Sequence, residues 1–182
     1  MKRRWVIWFD QIVLLGVLAF CGRTLFRAVL NAPVLGGWDG ASHIAMAEDY
    51  SRHIWPAVFG WTPHWYMGMP FPNFYHPLFF WLAALLDHVL PWPIATIIKF
   101  MALFLSLSLP GLVYLLGSKH LGGRKAGLLA GFLSILLLMR SDALAGWGLT
   151  LMGTFKIGLY AHLLALWLTL WFAYFLPTAA TS

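Results

Sequence analysis

Charged side chains are scarce in this sequence. Lysine, arginine, aspartate and glutamate together make up 10% of the 182 residues, whereas a soluble domain averages about a quarter. Hydrophobic residues make up 61%. So few charges cannot cover a water-facing surface. The composition therefore excludes an ordinary soluble domain and predicts a membrane protein.

Cysteine is also nearly absent, since Cys21 is the only one in the sequence. A single cysteine excludes a disulfide within the chain and a metal site built from cysteines. Acidic residues are few as well, at 6 against 12 basic ones, for a net charge of +6. The basic residues lie at the ends of predicted helices rather than on one face, so we predict no nucleic-acid partner.

The basic residues instead predict the topology. Lys2, Arg3 and Arg4 precede the first apolar run, and segment 117–125 is a short polar turn that carries further cations. Cytoplasmic loops of membrane proteins carry an excess of lysine and arginine. Both basic segments are therefore predicted to lie in the cytoplasm.

Four apolar runs are predicted to cross the bilayer, whose core requires roughly 20 residues of helix. They cover about residues 5–25, 94–116, 126–139 and 157–176. Outer loops then lie at about 31–93 and 140–156. The run Pro77–Val89 is too short to span and is predicted to be an interfacial helix in the first loop. The result is an all-α polytopic protein with a single membrane domain, residues 1–182, in the cell (inner or plasma) membrane, with cytoplasmic N- and C-termini.

The polar stretch Gly36–Pro77 is the candidate working surface of the molecule. Asp39 and His43 stand four residues apart at the start of a predicted helix, Ala41–His53, and would lie on one side of it. A carboxylate and an imidazole placed this way can bind Mg or Mn, orient a substrate hydroxyl, or supply a general base. The alternative is a helix cap beside an exposed histidine, and the residues alone leave both interpretations open.

Five of the seven histidines lie in or next to this stretch, which raises the question of a zinc site. They show no His-Glu-x-x-His spacing, and histidines beside tryptophan and tyrosine are common at membrane interfaces. We therefore predict no zinc site among them. They are His43, His53, His64, His76 and His88.

The second outer loop contains Arg140 and Asp142. A local ion pair at the end of a span is one interpretation of them. The other depends on the topology, which puts Asp142 on the same membrane face as Asp39. Two carboxylates that meet across helices can share one metal ion or one pyrophosphate-bearing substrate.

The order of these parts resembles the N-terminal portion of the GT-C superfamily of membrane glycosyltransferases. The resemblance rests on Gly-Trp-Asp39-Gly-Ala-Ser-His43, on the spacing of tryptophan, glycine and proline over 61–78, and on the basic turn at 122–126. It is strongest to bacterial multi-span proteins that carry Asp-x-x-x-His in the first outer loop, known as 6-pyruvoyl-tetrahydropterin-synthase-related. The resemblance covers nearly the whole chain, but its motifs are short.

The resemblance implies transfer of a sugar from a polyprenyl-phosphate carrier on the outer face. It implies Asp39 as base or as a ligand for Mg or Mn, His43 as an orienting group, and Asp142 as an assisting carboxylate or second metal ligand. Arg140 would pair with the carrier phosphate through its planar guanidinium.

Further partners follow from the same resemblance. Trp38, Trp65 and His76 would line the substrate site, and membrane lipid would surround the spans. Family members usually carry more spans than the four predicted here, so the resemblance leaves three interpretations open: a truncated part of such an enzyme, a split-gene product, or one subunit whose fold a second subunit completes. The alternative function is a non-catalytic membrane subunit or scaffold that interacts through its outer loop.

Overall fold

A computed structural model describes residues 2–33, 39–64, 68–71, 76–140 and 150–177 of the chain. These residues are mostly helical, which confirms the predicted all-α class. The elements are α1 (Lys2–Cys21), α2 (Arg23–Asn31), α3 (Gly40–His53), β1 (Gly60–Thr62), β2 (Met69–Phe71), α4 (Pro77–Val89), α5 (Ile94–His120), α6 (Arg124–Leu138), a π-helical turn (Gly153–Ile157) and α7 (Tyr160–Phe175).

Helix α5 is the central element, and α1, α4, α6 and α7 all pack against it. Its contact with α6 is close because glycines lie at the crossing. A Cβ added at Gly127 would lie 1.9 Å from the Ser118 hydroxyl oxygen, and one added at Gly117 would lie 3.0 Å from Ala130 Cβ. Small residues that let helix backbones approach are typical of helix packing in membranes.

One helix of the described part of the chain, α5, is by itself long and apolar enough to cross a membrane. Helices α1 and α2 pass the same test as a pair, but they are bent by 75°. Helices α6 and α7 have 15 and 16 residues, and 16 residues cover about 24 Å of a hydrocarbon core about 30 Å thick. Helix length therefore leaves the four predicted spans unconfirmed.

The structure differs from the sequence prediction at the ends of two spans. The first predicted span runs without interruption from about 5 to 25, whereas the helix breaks at Gly22, where the Phe26 ring packs so closely that a Cβ would lie 2.5 Å from it. The fourth predicted span begins at about 157. Helix α7 begins only at Tyr160, because Gly158 adopts a left-handed conformation (φ 101°) after the π-helical turn.

A buried ion pair joins α1, α5 and α6. Asp10 is only 2% exposed, and the Arg124 guanidinium donates two hydrogen bonds of 2.8 Å to its two carboxylate oxygens. The Tyr114 hydroxyl donates a third, also of 2.8 Å. Ionisable residues inside membrane segments usually face the bundle interior and are paired, and Asp10 satisfies both conditions.

The segment between α2 and α5 carries the candidate sites. The helix predicted at Pro77–Val89 is present with the same bounds as α4, and the helix predicted at Ala41–His53 begins one residue earlier as α3. Between them, β1 and β2 form a small antiparallel hairpin in which Trp61 pairs with Pro70. The sequence did not predict this hairpin, although its strands of three residues each are compatible with prolines that exclude long regular structure there.

Candidate functional site

Asp39 is held by the backbone of a distant segment. Its amide donates a 2.9 Å hydrogen bond to the carbonyl oxygen of Ile157, just before α7. The neighbouring Gly158 packs against the same place, since a Cβ added there would lie 2.9 Å from the Gly40 nitrogen and 3.1 Å from the Asp39 carbonyl carbon. The start of α3 and the turn before α7 therefore meet backbone to backbone.

The Asp39 side chain does not cap the helix. Asp39 occupies the N-cap position of α3, but no hydrogen bond from its carboxylate to the first turn is found in the described part of the chain. The residue is partly exposed. The carboxylate is therefore not committed to capping, which favours the functional interpretation of Asp39 over the structural one.

His43 is buried directly behind Asp39. It is 4% exposed, and its Nδ1 lies 2.9 Å from the backbone carbonyl oxygen of Asp39. A carbonyl oxygen only accepts, so Nδ1 carries the proton and Nε2 is the acceptor nitrogen of the neutral ring. Burial lowers the pKa of His43, and the hydrogen bond and charge of Asp39 oppose that shift only in part. The two residues are thus in contact, but through the backbone of Asp39 rather than through its carboxylate.

Aromatic side chains from α4 and α7 enclose the imidazole. The ring centroids of Phe80 and Tyr160 lie 6.1 and 5.7 Å from that of His43. The buried Tyr160 hydroxyl has no hydrogen-bond partner among the residues that the structure describes. A polar atom buried in an aromatic pocket is a candidate contact for a polar ligand.

Two further histidines lie close to each other beside this pocket. His76 precedes α4 and is exposed, and its ring packs edge-on against that of His162 on α7, with centroids 5.6 Å apart. His162 is close enough to His43 for its charge to lower the pKa of His43. Sequence analysis named His76 but missed His162, because His162 falls inside an apolar run interpreted only as a span.

The other predicted site residues divide into two groups. Trp38, Trp65 and Asp142 lie outside the described residues, so the predicted meeting of Asp39 and Asp142 around one metal ion stays a prediction. Arg140 is described: it is exposed and follows α6 directly, and its amide donates to the Leu137 carbonyl at 3.2 Å.

A second cluster lies one helix length away, at the other end of α3. Asp49 and His53 are one turn apart on α3, and His64 follows β1. The Nδ1 atoms of His53 and His64 lie 2.9 and 2.6 Å from the same Asp49 oxygen, Oδ1. The three potential ligand atoms all lie within 4.8 Å of one another, so these residues together can hold a metal ion.

A buried threonine orients the carboxylate of this cluster. Thr62 is fully buried, and its hydroxyl donates to Oδ2 of Asp49, which leaves Oδ1 toward the histidines. Burial would raise the pKa of Asp49, but the hydrogen bonds from Thr62 and His64, together with the nearby histidine charges, outweigh it. The pKa therefore lies below the ordinary value. Asp49 is thus held as a carboxylate, the form that binds metal.

The sequence pattern pointed to part of this cluster, but the cluster was not predicted. Asp49-x-x-x-His53 repeats the spacing of Asp39-x-x-x-His43, and residues four apart on a helix share a face. The third member, His64, is 11 residues beyond His53 and reaches the cluster only because the hairpin turns back on α3. The prediction of no zinc site among these histidines did not anticipate that three groups able to ligate a metal ion converge.

Comparison of the chain with protein-family models, with curated proteins and with solved structures finds no match. The functional argument therefore rests on the residues and their geometry. Two arrangements carry chemistry: Asp39 beside the enclosed His43, and the cluster of Asp49, His53 and His64. They are ten residues apart on one helix, which corresponds to about 15 Å along its axis.

Proposed function

We propose that this protein is a membrane glycosyltransferase, or one part of one, of the GT-C type. It would transfer a sugar from a polyprenyl-phosphate carrier to an acceptor on the extracytoplasmic face. The observation that carries the proposal is the state of Asp39, whose carboxylate is not committed to the helix cap and whose backbone is bonded on both sides. The resemblance in sequence supplies the reaction class.

The reaction would be an inverting displacement at the anomeric carbon of the donor sugar. Asp39 takes the proton of the acceptor hydroxyl, the acceptor oxygen bonds to the anomeric carbon, and the bond from that carbon to the carrier phosphate oxygen breaks with its electron pair. A positioned base of this kind contributes roughly a hundredfold to ten-thousandfold to the rate. The neutral His43, with a protonated Nδ1, orients the backbone of Asp39 through its 2.9 Å hydrogen bond.

Arg140 would neutralise the charge that develops on the departing phosphate, since arginine presents two parallel donors to phosphate oxygens. Its exposure at the end of α6 is consistent with that role. His76, exposed beside α4, would contact the sugar or its carrier. Trp38 and Trp65 are assigned to the same surface from the sequence resemblance alone.

A divalent ion, Mg or Mn, would be held by Asp39 and Asp142. The oxygen donors of two carboxylates suit these ions. Asp39 offers a partly exposed carboxylate of this kind, whereas Asp142 lies outside the described residues, so the step written above does not depend on the ion.

The proposal includes a membrane arrangement. The bent pair α1–α2 and helices α5, α6 and α7 would provide the four spans, with both termini cytoplasmic and α3, the hairpin and α4 on the outer face. The support is the apolar character of α5, of α7 and of the bent pair α1–α2, together with the basic turn between α5 and α6. A second subunit with further spans would complete the groove for the carrier lipid.

Transfer from radiolabelled polyprenyl-phosphate sugars tests the proposal. Proteoliposomes that hold the full chain, with its native membrane extract as acceptor, would be offered hexose, hexosamine and pentose donors. We expect Asp39→Asn to reduce transfer at least about a hundredfold. Glu48→Gln is the matched control, because Glu48 is a half-exposed acid on the helix that Asp39 precedes, and it should leave the rate unchanged. Equal rates for Asp39→Asn and the wild type would exclude the proposed chemistry.

One observation favours a non-catalytic subunit as a second candidate function. Val58, Phe59 and Trp61 are all about half exposed or more, and they lie together before and in β1. Large exposed apolar patches mark sites of protein or membrane contact. If the protein is a scaffold, no donor is consumed, and Phe59→Asp releases a partner from the purified complex while Asp39→Asn does not.

A further inference from the structure

We propose that Asp49, His53 and His64 form a mononuclear zinc site. It is separate from Asp39 and His43 and independent of the glycosyl-transfer proposal. Two imidazole nitrogens from different segments converge on a single carboxylate oxygen of Asp49, at 2.9 and 2.6 Å. The histidines also approach each other, with ring centroids 5.0 Å apart.

The donor set selects the metal. Two imidazole nitrogens and one carboxylate oxygen suit zinc, whereas Mg and Ca prefer oxygen donors throughout. Zinc sites that react or exchange ligands have three protein ligands and an open fourth position. The same three donors also bind Fe(II), but divalent ions follow an affinity order in which zinc exceeds iron.

The distances fit a small outward movement of both imidazoles from the Asp49 oxygen to admit the ion. Bonds of 2.0–2.1 Å in a tetrahedral site separate neighbouring ligand atoms by about 3.3 Å. The two oxygen–nitrogen distances are shorter than this, so each imidazole would move outward by about half an ångström. His53 and His64 have side chains that are 39% and 60% exposed, so neither is locked by packing.

Buried residues that hydrogen-bond to the ligands distinguish this cluster from surface groups that lie close together by chance. Asp49 is only 8% exposed, and the fully buried Thr62 fixes its second oxygen. The Thr62 oxygen also accepts a 3.3 Å hydrogen bond from the His64 amide, so one side chain orients two ligands. Outer partners of this kind orient metal ligands and raise metal affinity.

The open position has room for a ligand. The cluster lines a cleft of about 350 Å³ that Ala45, Glu48 and Arg52 complete. A water molecule or a small anion can therefore occupy the fourth position. Because Asp49 and His53 belong to α3 and His64 follows β1, the ion would also cross-link the helix to the hairpin.

The test is zinc binding by the purified full chain in detergent. After treatment with chelator, the protein would be titrated with zinc against a chromophoric competitor, and bound metal would be measured by mass spectrometry after dialysis. We expect one zinc per chain. His53→Ala and His64→Ala should each weaken binding by more than the tenfold to hundredfold typical of losing an outer partner, and Thr62→Val by about that amount.

His88→Ala is the matched control. His88, like His53, is an exposed histidine near the end of a helix. The Nδ1 atom of His88 lies 2.9 Å from the backbone carbonyl oxygen of Ala84, and that of His53 lies 3.1 Å from the backbone carbonyl oxygen of Asp49. It should bind zinc as the wild type does. Cobalt substitution gives a second readout that does not depend on affinity, because four-coordinate cobalt absorbs visible light strongly and six-coordinate cobalt weakly.

Each outcome decides the proposal. Binding of one zinc that is lost in both histidine variants, with intense cobalt bands in the wild type, supports it. Binding that survives both variants, that is weakened equally by His88→Ala, or that gives only weak cobalt bands overturns it. Circular dichroism of each variant separates loss of a ligand from loss of the fold.

Discussion

The amide of Asp39 and the carbonyl of Ile157 are joined by a hydrogen bond of 2.9 Å across 118 residues of chain. This bond places the first residue of the candidate site on the turn that precedes the last helix. The site is therefore assembled from two segments that are far apart in the chain. It depends on Gly158, which makes the close approach possible.

Gly158→Ala should separate the two segments. Gly158 has φ 101°, and its Cβ would lie 2.9 Å from a backbone nitrogen. We expect a loss of about 2–3 kcal/mol in stability, measured by thermal unfolding in detergent. Gly122→Ala is the control, because Gly122 has a similar φ of 109° but no atom within 4 Å of the added Cβ. Equal losses in the two variants would mean that backbone strain alone, and not the contact with Asp39, is responsible.

Arg124→Met should leave the buried Asp10 carboxylate without its main partner. Hydrogen bonds to charged groups contribute about 1.5–3 kcal/mol. We expect the free energy of unfolding to fall by an amount in that range and not by more, because the Arg124 side chain is half exposed. Lys125→Met changes the neighbouring exposed cation and should have little effect. Adding Asp10→Leu to Arg124→Met should restore much of the stability, since a buried pair can often be replaced by apolar residues. If the double variant were no more stable than Arg124→Met, the unpaired Asp10 carboxylate would not be the cause of the loss.

Acid should weaken the packing around His43. Its folded-state pKa lies below the ordinary value of 6.5, mainly because it is buried. The unfolded chain therefore takes up a proton more readily, and stability falls as pH drops below about 6.5. His162 adds to the effect by repulsion when it is charged, and Asp39 opposes it. Melting temperatures at pH 7.5 and 5.5 check this, and His43→Leu should flatten the difference. The prediction would be wrong if the melting temperature of the wild type rose from pH 7.5 to pH 5.5 while that of His43→Leu did not.

Zinc should stabilise the wild type against heat. If the cluster of Asp49, His53 and His64 binds zinc only when folded, a hundredfold excess over the dissociation constant contributes about 2.7 kcal/mol. Differential scanning fluorimetry in detergent measures the shift. His64→Ala should show none, whereas His88→Ala should shift as the wild type does. Equal shifts with magnesium would point to a nonspecific effect of divalent ions.

Local elements were predictable where a local cause exists. Proline at the first position of α4 and two prolines after its end bound that helix in the sequence as in the structure. The Gly22 break was not predicted, because a glycine inside an apolar run is usually tolerated in a membrane helix. Only the packing of Phe26 against it shows the close approach.

Only the local part of the candidate site was predictable from the sequence. Asp39 and His43 are four residues apart, so their meeting follows from one turn of helix. The contact itself, from imidazole to backbone carbonyl, and the bond to Ile157 do not follow from spacing. The second cluster was missed for the same reason, since its third member comes from a hairpin that the sequence did not predict.

The sequence by itself determined that the protein is mostly helical and apolar, and that Asp39 and His43 lie four residues apart at the start of one helix. These properties depend on composition and on neighbours within a few residues. Only the tertiary structure decided that Asp39 lies against the turn before α7 and that His64 joins Asp49 and His53. Such contacts join residues far apart in the chain, and they form because burial of the aromatic side chains between α3, α4 and α7 brings their backbones together.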